Sequence, residues 1–229
     1  MTPEELCDKY RNVRSKIPAL AKLYDVDWSS VHHAHGEASD FPILINAALS
    51  TDEMDRDFAL RLLHETIWHQ GTIYQATAFA VPFIVDLIRS PDINNQADFA
   101  NLLSSIAQGQ GAFEDGFRSK EEEQKWREIF GAQGIDLEDF VAESKKWGQA
   151  ARDEVRKNLR VLYPFLNYPD GFNSYIASTL ACYPELSDET IPLIEKAMEL
   201  EKDENVRKWL NESLQKLKAG SDFQASSLA

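Results

Sequence analysis

The sequence predicts an all-α protein built as a short right-handed solenoid of stacked helix pairs. Three observations carry that expectation. Pro42, Leu44, Ser50, Asp52, Leu62 and Leu63 are echoed, without a gap, by Pro82, Ile84, Ser90, Asp92, Leu102 and Leu103. Around each echo, apolar residues recur at helical spacing in two runs separated by a short polar break. No run of alternating β-branched residues competes with the helical pattern. A period of about forty residues with two amphipathic helices to the unit is the signature of α-solenoids of the HEAT or armadillo type. A chain of 229 residues has room for one solid core or for roughly four to six such pairs.

Taken in order, Thr2-Pro3-Glu4-Glu5 is a helix start. Thr2 can cap, Pro3 sits where its missing N–H costs nothing, and Glu5 closes a capping box. Leu6, Tyr10, Val13, Ile17, Leu20 and Leu23 then predict one amphipathic cap helix over residues 3–24. Residues 25–39 read as irregular.

The first unit places Ser39 or Asp40 as the cap of a helix with Phe41, Leu44, Ile45, Ala48 and Leu49. After a break at Ser50-Thr51-Asp52, a second helix runs from Glu53 to Trp68. Gly71 reads as its C-terminal cap. The second unit begins near Ala76, turns at Ser90-Pro91-Asp92 and resumes through Phe99, Leu102, Leu103 and Ile106.

Residues 108–135 hold half of the ten glycines and read as an insertion with one short helix near Glu121–Phe130. A charged helix from Leu137 to Leu166 follows, then a turn at Tyr168-Pro169-Asp170-Gly171. After it come a helix from Phe172 to Cys182 and a last pair capped by Ser187. The whole reads as one domain over residues 1–218, with a flexible tail at 219–229. Pro82, Pro164 and Pro192 fall inside helices, where a missing N–H and a ring clash bend the axis.

The formal charge is −14. Residues 39–110 carry Arg56, Arg61 and Arg89 against nine acidic side chains. Such a stretch repels a phosphate backbone, so nucleic acid is excluded as a partner and a basic protein is favoured. Cys7 and Cys182 have no motif spacing and read as reduced thiols of a cytoplasmic protein. No window reaches the 18 or so apolar residues of a membrane span. Oligomeric state stays open between monomer and homodimer, because solenoid ends need capping.

All five histidines, His32, His33, His35, His64 and His69, fall within 38 residues. His64-Glu65 resembles the start of a metalloprotease helix. That motif needs a second histidine four residues on, where Trp68 stands instead. Neither a phosphate loop nor a nucleophile elbow is present. The reading is therefore no catalytic residue, no metal site and no cofactor, with a metal-binding or enzymatic use of segment 32–69 as the alternative. Asp52, Glu53, Asp55 and Asp57 read as a solvated helix start. Lys145, Lys146, Arg152, Arg156, Lys157 and Arg160 read as a salt-bridged face.

The strings His33 to Ala38, Trp68 to Thr77 and Ala80 to Phe83 resemble the N-terminal part of a group of bacterial HEAT-repeat proteins, with His35 standing where an aromatic is usual. The resemblance covers Trp28 to Leu87. It implies a HEAT scaffold or adaptor, and some members resemble proteins encoded beside polymorphic toxins, which implies an immunity or accessory role.

Trp28, His32, His35, His64, Trp68, His69, Gln70 and Tyr74 are the candidate binding residues of a non-enzymatic protein-interaction module. If residues 68–77 form a recognition edge, Trp68, His69, Gln70 and Tyr74 should be partly exposed beside His32 or His35. If they form a packed joint, all four should be buried.

Overall fold

A computed structural model describes residues 1–168 and 171–227, with side chains described only as far as Gly220. The chain is mostly helical. Helix α1 (Pro3–Tyr10) has the expected capping box: Glu5 N–H donates to Thr2 Oγ1 at 3.2 Å and Thr2 N–H to Glu5 Oε2 at 2.7 Å. It stops at Tyr10, not at residue 24. Pro18 forces Ile17 into extended backbone (ψ 123°), so residues 18–25 form only two 3₁₀ turns. Leu20, Leu23 and Tyr10 are buried all the same, which is why their spacing looked helical.

Helices α2 (Phe41–Ala48) and α3 (Glu53–Ile67) form the first pair, and α4 (Gln75–Arg89) with α5 (Gln96–Gln108) the second. The echo is built into their turns. Ser50 Oγ accepts from Asp52 N–H at 3.0 Å, and Ser90 Oγ from Asp92 N–H at 3.2 Å. Asp52 caps α3, accepting from Met54 N–H (3.0 Å) and Asp55 N–H (3.2 Å). Asp40 does not cap α2 with its side chain; it takes a hydrogen bond from His33 instead.

Two short antiparallel hairpins interrupt the helical pattern, each at the entry to a pair. Strands β1 (His32–His33) and β2 (Gly36–Glu37) precede α2; β3 (Trp68–His69) and β4 (Thr72–Ile73) precede α4. Gly71 (φ 91°) is therefore a turn residue of a hairpin and not a helix cap. Hairpins this short lie below the length at which alternation is legible.

Helices α6 (Lys120–Ala132) and α7 (Leu137–Asn158) follow. A long 3₁₀ stretch, Leu159–Asn167, then takes over where one helix to Leu166 was expected. Pro164 removes the N–H that α-helical bonding would use. Pro82 and Pro192 lie inside α4 and α9 as the sequence indicates.

Helix α8 (Phe172–Leu180) begins after Gly171, whose φ of 81° suits glycine. Pro169 and Asp170 of the expected turn lie outside the described residues. Helices α9 (Ser187–Leu200) and α10 (Glu204–Ser227) complete the chain, so residues 219–227 continue the last helix; residues 228 and 229 are outside the described residues.

The packing is successive. Helix α4 lies against α5 and α7, α5 against α8, and α8 and α9 against α10. One continuous core runs through Phe41, Leu63, Ile84, Phe99, Leu103, Ile176 and Leu210. None of the described helices is long and apolar enough to cross a membrane. Four of the five basic residues of α7 are ion-paired, Lys146 with Glu143, Arg152 with Glu114, Arg156 with Glu185, and Lys157 with Glu154, the exception to the expected face being Lys145; just beyond α7, Arg160 pairs with Glu189.

The acidic start of α3 departs from the expected solvated face at one residue. Asp55 is 3% exposed, bonded by Lys9 Nζ and by the Tyr10 hydroxyl (2.6 Å). The Lys9 bond first, and Tyr10 next, hold this carboxyl below the usual range against the opposing effect of burial. The folded chain therefore keeps the charge to lower pH than the unfolded one. The stabilisation is complete above the unfolded value of about 3.9 and is lost as pH falls through the folded value. Asp55→Asn should flatten the acid limb of a stability–pH profile below about pH 4. An acid limb identical to that of the wild type would refute the coupling.

Candidate functional site

Hairpin β1–β2 is held rigid by His33. Its Nδ1 accepts the His35 N–H at 3.0 Å, which leaves the proton on Nε2 to be donated to Asp40 Oδ1 at 2.9 Å. Both ring nitrogens are thus engaged, and His33 is buried. The tip of this hairpin bonds to the end of α3, Ala34 N–H to Thr66 carbonyl at 2.9 Å.

Hairpin β3–β4 turns at Gln70-Gly71, both with positive φ (51° and 91°). Such a pair fits the two-residue turn whose twist matches the strands. Thr77 fastens the hairpin to α4: its hydroxyl donates to the Ile67 carbonyl at 2.5 Å and accepts the Tyr74 N–H at 3.1 Å.

A third segment joins this edge. Ile73 N–H donates to the Gln110 carbonyl (2.8 Å) and Gln110 N–H to the Gly71 carbonyl (3.0 Å), a parallel bridge between Thr72 and Gln110. Residues 109–114 are in turn seated on α7. Ala112 N–H donates to Ser144 Oγ at 2.6 Å, and Arg152 Nη2 to Glu114 Oε1 at 3.0 Å. Burial pushes the Glu114 carboxyl up, but Arg152, the Gly111 N–H and Lys145 together bring it below its ordinary range. Gly109, Gly111 and Gly148 allow the approach. A β-carbon on Gly111 would meet the Ser144 carbonyl oxygen at 2.5 Å, and one on Gly148 the Gly111 nitrogen at 2.7 Å.

Between this edge and helices α6 and α7 lies a cleft of about 830 Å³. One wall is His32, His33, His69, Gln70, Thr72, Tyr74 and Gln110; the other carries Phe113, Trp126, Phe130, Phe140 and Trp147. The aromatic wall is a connected ladder. Centroids are 5.3 Å apart for Phe113–Trp126, 5.9 Å for Trp126–Phe130, 4.5 Å for Phe130–Phe140 and 6.1 Å for Phe140–Trp147. Helix α6 has no buried residue. It is held by this ladder and by Arg127, which bonds both oxygens of Glu138 (2.8 and 2.5 Å). Among the described residues, the two non-glycines in left-handed backbone are Gln70 and Phe113, and they stand on opposite walls of this cleft. Each such conformation costs about 1–2 kcal/mol, which the surrounding bonds must outweigh.

Of the eight residues singled out from sequence, four line the cleft: His32, His69, Gln70 and Tyr74. His32 and Gln70 are exposed; His69 and Tyr74 are half-buried, and burial pushes the Tyr74 phenol up. His35 is exposed just outside, its ring 5.8 Å from His69.

Trp68 and His64 lie edge to face at 6.0 Å, away from the lining. Burial lowers the affinity of His64 for a proton, and the Trp68 indole nitrogen is buried without a partner among the described residues. The segment is thus neither wholly edge nor wholly joint. Trp28 is a core residue. It is 4% exposed, donates to the Leu23 carbonyl at 2.7 Å and packs on Phe41 at 4.3 Å.

Sequence reading missed the whole aromatic wall. Its signal was Phe113, Phe117, Trp126 and Phe130 in a segment otherwise polar and glycine-rich. Among the described residues, no three His, Cys, Asp or Glu side chains are grouped to hold a metal ion. Comparison with protein-family profiles, curated proteins and solved structures gives no match to this chain.

Proposed function

We propose that this chain is a non-enzymatic recognition module: a short HEAT-like solenoid that seats a protein partner between its hairpin edge and the α6–α7 aromatic wall. The observation that carries the reading is the cleft itself. Two hairpins, a glycine-dependent loop and a half-exposed aromatic ladder converge on it, and the two strained non-glycine residues face each other across it. Aromatic rings left open to solvent on a weakly held helix are what interface hot spots are made of.

The solenoid part of the reading is supported by the recurring Ser turns at 50 and 90 and by the succession α4–α7, α5–α8, α8–α10. A net charge of −14 speeds encounter with a basic partner, in keeping with an immunity or accessory role in the cytoplasm.

The test is affinity capture from producing cells with the wild type, Gln70→Gly and Trp126→Ala. Gln70→Gly removes an exposed side chain and relieves the left-handed backbone, so the fold is kept or gains a little stability. The wild type should recover one protein in stoichiometric amount and each variant several-fold less. Gln70→Gly should melt at a temperature equal to or slightly above the wild type's, and Trp126→Ala at a somewhat lower one, because its ring also holds α6. Equal recovery by all three chains would overturn the reading.

A further inference from the structure

The cleft is selective in its charge as well as its shape, and the inference drawn here rests on reading it as the recognition site. Its wall presents the half-buried rings of Phe113, Trp126, Phe130, Phe140 and Trp147. Ring faces attract cations, and indole does so most strongly. Besides three histidines and Tyr74, the titratable groups of the lining are Asp115, Glu122 and Arg118. Arg118 is largely exposed, with its Nε 3.7 Å from Glu122 Oε1, while its backbone N–H donates to Glu122 Oε2 at 2.7 Å.

Asp115 differs. It is exposed, accepts one hydrogen bond from Gln110 Nε2 at 2.9 Å, and has no ion-pair partner among the described residues. The segment from Gly109 to Trp147 carries ten acidic and six basic side chains, a net of −4. The lining carboxylates outnumber Arg118 two to one, so a carboxylate or phosphate entering here would meet an excess of negative charge.

We propose that the cleft takes an arginine side chain of the partner protein, its guanidinium stacked on the aromatic wall and bonded to the Asp115 carboxylate. Arginine fits better than lysine. Its planar, weakly hydrated head can lie flat on a ring while its edge presents paired donors to a carboxylate. Lysine's compact ammonium would give up more hydration to enter the same space.

The test uses the full-length chain, isotope-labelled, titrated with a capped glycine pentapeptide bearing arginine at its centre and with the same peptide bearing neutral, isosteric citrulline. The arginine peptide should shift the indole N–H signals of Trp126 and Trp147 and the amide of Asp115. Citrulline should bind about tenfold more weakly, and Asp115→Asn and Trp126→Leu should each weaken arginine binding about fivefold. Binding should fall as salt rises. Equal affinity for arginine and citrulline would overturn the arginine assignment while leaving the cleft a recognition site. Absence of shifts at Trp126, Trp147 and Asp115 would also overturn it. The recognition reading itself stands or falls separately on the capture experiment.

Discussion

Trp28→Ala should destabilise the protein by about 3–5 kcal/mol, the range for deleting a large aromatic from a core that cannot collapse around the hole. The side chain is 4% exposed and sits between Phe41 (4.3 Å) and Phe83 (6.1 Å). It therefore welds the 3₁₀ turn at residues 28–30 to both α2 and α4. Truncation also removes the donor to the Leu23 carbonyl and leaves that acceptor in a dry site, which alone costs about 1–3 kcal/mol.

Trp28→Phe separates the two effects. It keeps most of the ring volume, loses the hydrogen bond, and should cost less than half as much as alanine. Urea unfolding of the three chains checks this. A midpoint unmoved by Trp28→Ala, with capture lost, would return Trp28 to the binding residues named from sequence.

A tryptophan among histidines and serines looks like a surface site, because composition is read along the chain and burial is not. The same gap explains α1. Leu20 and Leu23 have helical spacing and are buried, yet they sit on 3₁₀ turns beyond Pro18. Apolar periodicity reports which residues face the core. It does not report which backbone delivers them there.

The helix pairs were legible because each spans several turns and its two helices are joined at a repeated Ser turn. The hairpins were not, since two residues to a strand cannot alternate. Their positions also break the forty-residue period: the hairpins recur from His32 to Trp68, whereas the turns recur from Ser50 to Ser90. The four extra residues are about one turn of helix at the start of α4.

Half of the cleft could be read, namely the wall carrying His32, His69, Gln70 and Tyr74, because those residues are close in sequence to each other or to a glycine turn. The aromatic wall could not. Phe113 and Trp147 lie on separate elements and line one cleft because the Gly109–Glu114 loop docks on α7, a contact that leaves no periodic trace. What the sequence does hold is its requirement for glycine, which becomes interpretable once the two backbones are seen together.

That requirement supplies the second large effect. In an open helix interior, Gly→Ala stabilises by up to about 1 kcal/mol, since alanine loses less backbone entropy on folding. Gly131, in the last turn of α6, has nothing within 4 Å of an added β-carbon, and Gly131→Ala should be neutral or mildly stabilising. Gly148 in α7 should respond with the opposite sign. Its added β-carbon would lie 2.7 Å from the Gly111 nitrogen and 3.3 Å from the Gln110 carbonyl carbon, both backbone atoms that cannot swing aside as a side chain tip would.

Relief requires the loop to lift from α7. That strains the Ala112–Ser144 hydrogen bond and the Glu114–Arg152 pair, and Phe113 moves with them. Overpacking of this kind costs about 1–3 kcal/mol. Gly148→Ala should therefore lower the melting temperature, speed amide exchange across residues 109–118 and weaken partner capture together, while Gly131→Ala does none of these. The same stabilising response at both positions would show that the loop does not rest on α7, and the aromatic wall would lose the contact that sets it opposite the hairpins.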